Sequence, residues 1–180
     1  MKCTDLLDKD HQIILRAVDV LEQMADTVKK EHSVDPRDLE FVIRFLKEFE
    51  DEHHQTKEES ALFPVLLKSS GSRQGKLRQI VFEHDQERSL VEGLEEALRT
   101  KQGSDFVHFA TRLINLLRSH IYKEELALFG LVEETLSDEE DRLVVAEFSK
   151  FDDELNSRAG KDLLKQLRVL EDKYIRRRIA

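Results

Sequence analysis

The sequence has no tryptophan, one cysteine, two prolines and six glycines in 180 residues. A single cysteine excludes an intrachain disulfide, so Cys3 is expected to be an incidental thiol near a frayed terminus rather than a redox centre. Two prolines and six glycines leave few places to interrupt regular structure. The 37% of charged residues supply solvated outer faces, and together these predict long helices and an all-α fold. No apolar run approaches the ~20 residues needed to span a bilayer. The opening Met1-Lys2-Cys3-Thr4-Asp5 turns acidic and amphipathic at once, unlike a secretory signal. A cytoplasmic protein without a membrane partner is expected. Clustered basic charge is also scarce. A net charge of −9 and a pI near 5.3 argue against a nucleic-acid partner, and the short Arg176-Arg177-Arg178 run suits the negative end of a helix instead.

What the chain does contain is one stretch written twice. His54-Gln55-Thr56-Lys57-Glu58-Glu59-Ser60-Ala61-Leu62-Phe63 and His120-Ile121-Tyr122-Lys123-Glu124-Glu125-Leu126-Ala127-Leu128-Phe129 share the pattern H-x-x-K-E-E-x-A-L-F, 66 positions apart. On a helix, a His and a Glu four positions apart differ by only ~40° around the axis and ~6 Å along it, so both side chains reach one point. Imidazole nitrogen paired with carboxylate oxygen suits Fe, Mn or Zn. Each repeat is thus half of a candidate metal site.

The apolar periodicity sets these repeats on helices. Leu7, His11, Ile14, Val18, Leu21 and Ala25 form a bundle-facing stripe over about 6–29, with His11 in an inward slot. Asp35-Pro36 caps a second helix reaching about Leu67, whose apolar stripe Leu39, Val42, Leu46, Phe49 would continue to His53. The repeat requires His54 instead, so the two stripes are out of step by one residue and a local rewinding is predicted between Phe49 and His54. After a connector at 68–75, a third helix over about 74–100 places His84 and Glu87 in slots reserved for apolar residues, between Leu77, Ile80, Val91 and Leu94. Ser104 or Asp105 is expected to cap a fourth helix, whose inner face carries Phe106, Phe109, Leu113, Leu116, His120, Glu124 and Ala127. A capping box at Ser137 opens a fifth helix through Leu143, Ala146, Phe148 and Phe151, and a last helix covers about 163–179. This tail has no His and no comparable inward charge, and is expected on the bundle's outside or at an oligomer contact. Burying six ionisable groups on four stripes is costly unless they share a partner. His32 sits in a loop, His108 lies off its stripe and His53 is out of step with the repeat, so none of the three is read as a ligand. Lys57 and Lys123 point about 100° from the neighbouring Glu, which predicts solvated or supporting roles.

The halves also match outside the repeat, through Asp10-His11 and Glu83-His84, Val18 and Val91, and Leu21 and Leu94. His11, His54 with Glu58, His84, and His120 with Glu124, in that order, resemble the hemerythrin-like HHE cation-binding family over about 6–131. The Leu-Phe after each pair, with Pro64 after the first, fits as well. The resemblance implies a hemerythrin-like up-down four-helix bundle over 1–134, with a C-terminal helical extension over 135–180. It also implies two Fe ions, oxo- or hydroxo-bridged, with Glu58 and Glu124 bridging and the four histidines shared two to an iron; Zn or Mn are the substitutes that the donors allow.

Oxygen-carrying members add a fifth His four positions after the third-helix His, where this chain has Arg88. The resemblance is therefore closer to bacterial members with four His and two carboxylates, some of which act in iron-sulfur cluster repair. A missing imidazole leaves a position for water, O2, NO or peroxide. Glu87 is either an extra ligand there or an ion-pair partner of Arg88. The expected function is a di-iron protein that binds, senses or reacts with O2, NO or peroxide in redox or iron homeostasis, the alternative being an enzyme of cluster repair or of NO or peroxide turnover. The expected partners are a small diatomic or peroxide ligand and either a homodimer mate or a redox partner. A ferritin-like carboxylate protein would need two Glu-x-x-His pairs, and only Glu50 to His53 fits. A bundle holding Zn or nothing is the remaining rival.

Overall fold

A computed structural model describes residues 1–30, 32–69 and 74–176. Among these residues the chain is helical and has no strand. Four rods form an antiparallel bundle. The first is α1 (Cys3–Lys29). The second begins as α2 (Pro36–Phe45) and ends as α3 (Phe63–Ser69), with wider π-helical turns at Leu46–Gln55 and Glu58–Leu62 between them. The third is α4 (Gln74–Arg99). The fourth runs from α5 (Gly103–Lys123) through a π turn at Glu124–Leu128 into α6 (Phe129–Thr135). Two more helices, α7 (Asp138–Leu155) and α8 (Arg158–Tyr174), return along the outside of the first two rods.

The ends follow the sequence in most places. Asp35 accepts from the Arg37 N–H with Pro36 in the first turn, and the Ser137 hydroxyl accepts from the Glu140 N–H while the Glu140 carboxylate accepts from the Ser137 N–H. One cap differs from the expectation. α5 starts at Gly103 behind Gln102, so neither Ser104 nor Asp105 caps it. α7 buries Val144 and Phe148, while Leu143 is 62% exposed and Ala146 is also on the surface. Residues 70–73, within the expected connector, and 177–179, within the expected last helix, lie outside the described residues. Cys3 is in the first turn of α1 and fully buried, not frayed, and burial pushes its thiol pKa well up.

The predicted rewinding is present. From Leu46 to Gln55 the backbone turns are a residue wider, and the Thr56 N–H bonds the carbonyl of Asp51, five residues back. The extra residue lets Phe49 and His54 both face inward, and both are buried. Similar turns recur where the periodicity gave no warning. The Phe63 N–H donates to the Glu58 carbonyl, and the Phe129 N–H to the Glu124 carbonyl, each across five residues. These turns advance the inner face by one position. Ala127, expected inside, is exposed, and Leu128 is buried in its stead.

Two apolar clusters fill the bundle. The larger runs from Ile14, Phe45 and Phe49 through Leu94, Leu113 and Leu117 to Leu163, Leu167 and Leu170 of α8. Each such buried leucine contributes about 1.5–3 kcal/mol relative to exposure. The smaller gathers Leu7, Leu62, Leu77 and Leu128 with Val144 and Phe148 of α7. Between these clusters along each rod lies a polar layer, formed by His11, His54, Glu58, His84, His120 and Glu124.

Candidate metal centre

All six residues are buried, at 3% exposure or less, and they converge. His11, His54, Glu58 and Glu124 each offer a ligand atom within 4.8 Å of the others, and so do His84, His120 and Glu124. Glu124 belongs to both groups. Its Oε2 is 3.2 Å from His11 Nε2, and its Oε1 is 3.1 Å from His120 Nε2 and 3.8 Å from His84 Nε2. Glu58 Oε2 lies 3.4 Å from His84 Nε2. The pairs His11–His54 and His84–His120 have the same arrangement, rings edge to face at 4.8 Å between centroids. Phe129 stacks on His11 and Phe63 on His84, each delivered by the π turn within its repeat.

Each of these four histidines has a carboxylate near its Nδ1, within hydrogen-bond distance for three of them. Glu125 Oε1 lies 3.2 Å from His11 Nδ1 and Glu59 Oε1 lies 2.7 Å from His84 Nδ1, so the second Glu of each repeat reaches the lone His of the other half. Glu83 Oε2 is 3.0 Å from His120 Nδ1, and Asp10 Oδ2 is 3.6 Å from His54 Nδ1. A carboxylate can only accept, so the three closer contacts put a proton on Nδ1 and leave Nε2 as the donor atom toward the centre. The signal for this shell was in the sequence, as the doubled Glu of each repeat and the acid before each lone His, but periodicity assigned it no role.

Burial alone would discharge these groups; their neighbours win. Burial opposes the charged form of His84, yet Glu124, Glu58 and Glu59 raise its pKa to about 12. His120 and His11 are raised against the same burial penalty, chiefly by Glu124. Burial likewise works against the Glu124 anion, and His120, His11 and His84 hold its pKa well below the ordinary carboxylate range. Without a cation, imidazolium protons supply the positive charge that these acids require. A divalent ion can replace them.

The donor set fits such an ion. His11 Nε2, both nitrogens of His54 and both carboxylate oxygens of Glu58 and Glu124 have no hydrogen-bond partner, although they are shut off from solvent. His11 Nε2 and Glu124 Oε2 are near enough to pair as charges but are not aligned for a hydrogen bond. Orphaned buried polar atoms cost about 1–3 kcal/mol each. Four imidazoles and two carboxylates aimed at one dry space are what a cation would satisfy.

The neighbours of this layer sort themselves. Glu87 is fully buried, but its Oε2 accepts from Gln55 Nε2 at 2.7 Å, its Oε1 has no partner, and it stands outside both groups. Gln55 also bonds Glu50. Arg88 turns away from the centre to Asp51 (2.7 Å), Glu59 (2.8 Å) and Asp85 (3.1 Å). His32 and His108 are exposed. His53 is buried beside Phe49 and lies 3.6 Å from both Asp10 and Asp152. Lys57 is not solvated. At 1% exposure it bridges Asp10 (2.8 Å) and the partly exposed Asp152 of α7 (2.7 Å).

This geometry defines a cation-binding helical bundle. A family model, the hemerythrin HHE cation binding domain, matches residues 3–132, and the chain belongs to that family. Comparison with curated proteins and with solved structures finds no match. No helix among the described residues is long and apolar enough to cross a membrane.

Proposed function

We propose that His11, His54, Glu58, His84, His120 and Glu124 hold two iron ions, and that the protein binds, senses or reacts with O2, NO or peroxide. The observation that carries this reading is the set of unpartnered donor atoms on His11, His54, Glu58 and Glu124, all in one dry layer. Bound iron would supply reversible one-electron chemistry and a coordination position for a small ligand. The chain's own residues orient the imidazoles through Glu125, Glu59 and Glu83, hold their tautomers and exclude water with Phe63 and Phe129. Arg88, where an oxygen carrier would place a further His, is engaged with Asp51 and Glu59. That supports sensing or turnover over storage of intact O2. The unpartnered Oε1 of Glu87 supports keeping that residue as a candidate seventh ligand.

The alternative, an enzyme of iron-sulfur cluster repair or of NO or peroxide turnover, would use the same residues. A cytoplasmic setting and either a homodimer mate or a redox partner complete the proposal, with residues 135–180 read as an extension of the 1–134 bundle. Anaerobic loading with Fe(II), metal analysis and the visible spectrum test it together. About two irons per chain are expected, as two donor groups imply. Zinc in place of iron, or no metal, sinks the reading. Exposure of the reduced protein to each oxidant then separates a reversible spectral change from catalytic consumption.

A further inference from the structure

The internal repeat extends beyond the metal layer to the surface, and there the two halves differ. In the first half, α7 lies in the groove between α1 and residues 57–65. Phe148 and Val144 pack on Leu7 and Leu62, and Asp152 reaches Lys57, whose Nζ also lies 5.6 Å from the Phe148 ring centroid. In the second half, the corresponding groove between α4 and α5–α6 is an open cavity of about 210 Å³. Its lining is the repeat image of the α7 seat. Ile80 and Glu83 correspond to Leu7 and Asp10, and Lys123, Ala127 and Leu128 to Lys57, Ala61 and Leu62.

The charges correspond as well. Lys57 pairs inward with Asp10 and outward with Asp152 and is buried; Lys123 pairs inward with Glu83, no outward ion pair among the described residues matches Asp152, and its side chain is 41% exposed. At the rim, Lys76 and Gln79 stand where the first half has the apolar Cys3 and Leu6. An apolar floor with a basic, hydrated rim suits a partner that comes and goes rather than a permanent cover.

We propose that this groove is a docking site for an amphipathic helix of another protein, one that presents an aromatic residue and, four positions on, a carboxylate. α7 supplies the template, since Phe148 and Asp152 have that spacing, and an aromatic anchor with a partly desolvated charge is the usual energetic centre of such an interface. The incoming aromatic covers Ile80 and Leu128, and the incoming carboxylate takes the outer side of Lys123. The docking requires no metal in the centre, so it stands or falls separately from the iron reading.

A fluorescently labelled peptide of residues 138–155, titrated into the full-length protein and followed by anisotropy, tests this. Saturable one-to-one binding is expected. Ala127→Arg, which sets a bulky cation at an exposed position inside the groove, should weaken it about tenfold or more, and so should Phe148→Ala with Asp152→Ala in the peptide. An unchanged circular dichroism spectrum shows that the Ala127→Arg protein is folded. Absence of saturable binding overturns the proposal. Binding that survives Ala127→Arg also overturns it, because the peptide would then be exchanging with α7 or adhering elsewhere. A dimer in sedimentation that Ala127→Arg dissociates would give the groove to a second copy of this chain and overturn the assignment to a different protein.

Discussion

Lys57 and Asp152 meet at 2.7 Å across the junction of the second rod and α7. Through Asp10, whose Oδ2 is 2.8 Å from Lys57 Nζ and 3.6 Å from His54 Nδ1, that contact ties the C-terminal helices to the polar layer of the bundle. Among the described residues, the repeat partner Lys123 has only the inner half of this arrangement, in its bond to Glu83. Two lysines at identical repeat positions are thus held by different amounts of protein.

Their removal should have unequal costs. Lys57→Ala leaves Asp10 buried without its cation and should destabilise the protein by about 3–5 kcal/mol. Lys123→Ala removes a partly exposed lysine and leaves Glu83 still bonded to His120 and Gln79, so it should cost about 1 kcal/mol or less. Urea unfolding of both variants decides this, and equal costs would mean that α7 does not seal Lys57.

Glu124 serves both donor groups, whereas His54 serves one. Glu124→Ala should therefore abolish metal binding, while His54→Ala should leave about one ion per chain, bound more weakly. Metal analysis after anaerobic loading and gel filtration makes the comparison. If the two variants retain the same metal, Glu124 is not the shared residue.

In cation-free protein, burial lifts the Glu87 carboxyl from 4.5 to about 7 against the pull of His120 and His84. The folded chain then keeps a proton that the unfolded chain releases in this window. The associated stability is whole below the lower value and is lost as pH rises through the upper one. Urea stability of chelator-treated protein should fall across that interval. Glu87→Gln should flatten the fall without removing it, because Glu50 is raised too, first by burial and then by the charge of Glu87. An identical slope in the variant would place the titration elsewhere. In iron-loaded protein, unchanged metal content and spectrum for Glu87→Gln would strike Glu87 from the ligands.

Gly160 follows the bend between α7 and α8, and a Cβ there would lie 2.1 Å from the Leu155 carbonyl oxygen. Gly160→Ala should force the two helices apart, costing about 1–3 kcal/mol. Gly130, in α6, has nothing within 4 Å of such a Cβ, and Gly130→Ala should stabilise by up to about 1 kcal/mol through helix propensity alone. Thermal melts of both should move in opposite directions; a destabilised Gly130→Ala protein would refute the account of α6.

The sequence by itself determined the all-α class, the order of the rods and the six residues that converge, because a His and a Glu four apart, placed on an apolar stripe, are local features of a helix. It also betrayed the rewinding before His54, through two stripes one residue out of step. Only the tertiary structure decided that Glu125 holds His11 and Glu59 holds His84, since these pairings cross between rods and depend on how each rod is rotated. The π turns after Glu58 and Glu124 alter that rotation by one position, which is why Leu128 rather than Ala127 faces inward. The seat of α7 was equally hidden. The groove occurs twice with a similar apolar floor and inner ion pair but a different rim, and the short connection from α6 delivers the helix to one copy and leaves the other open.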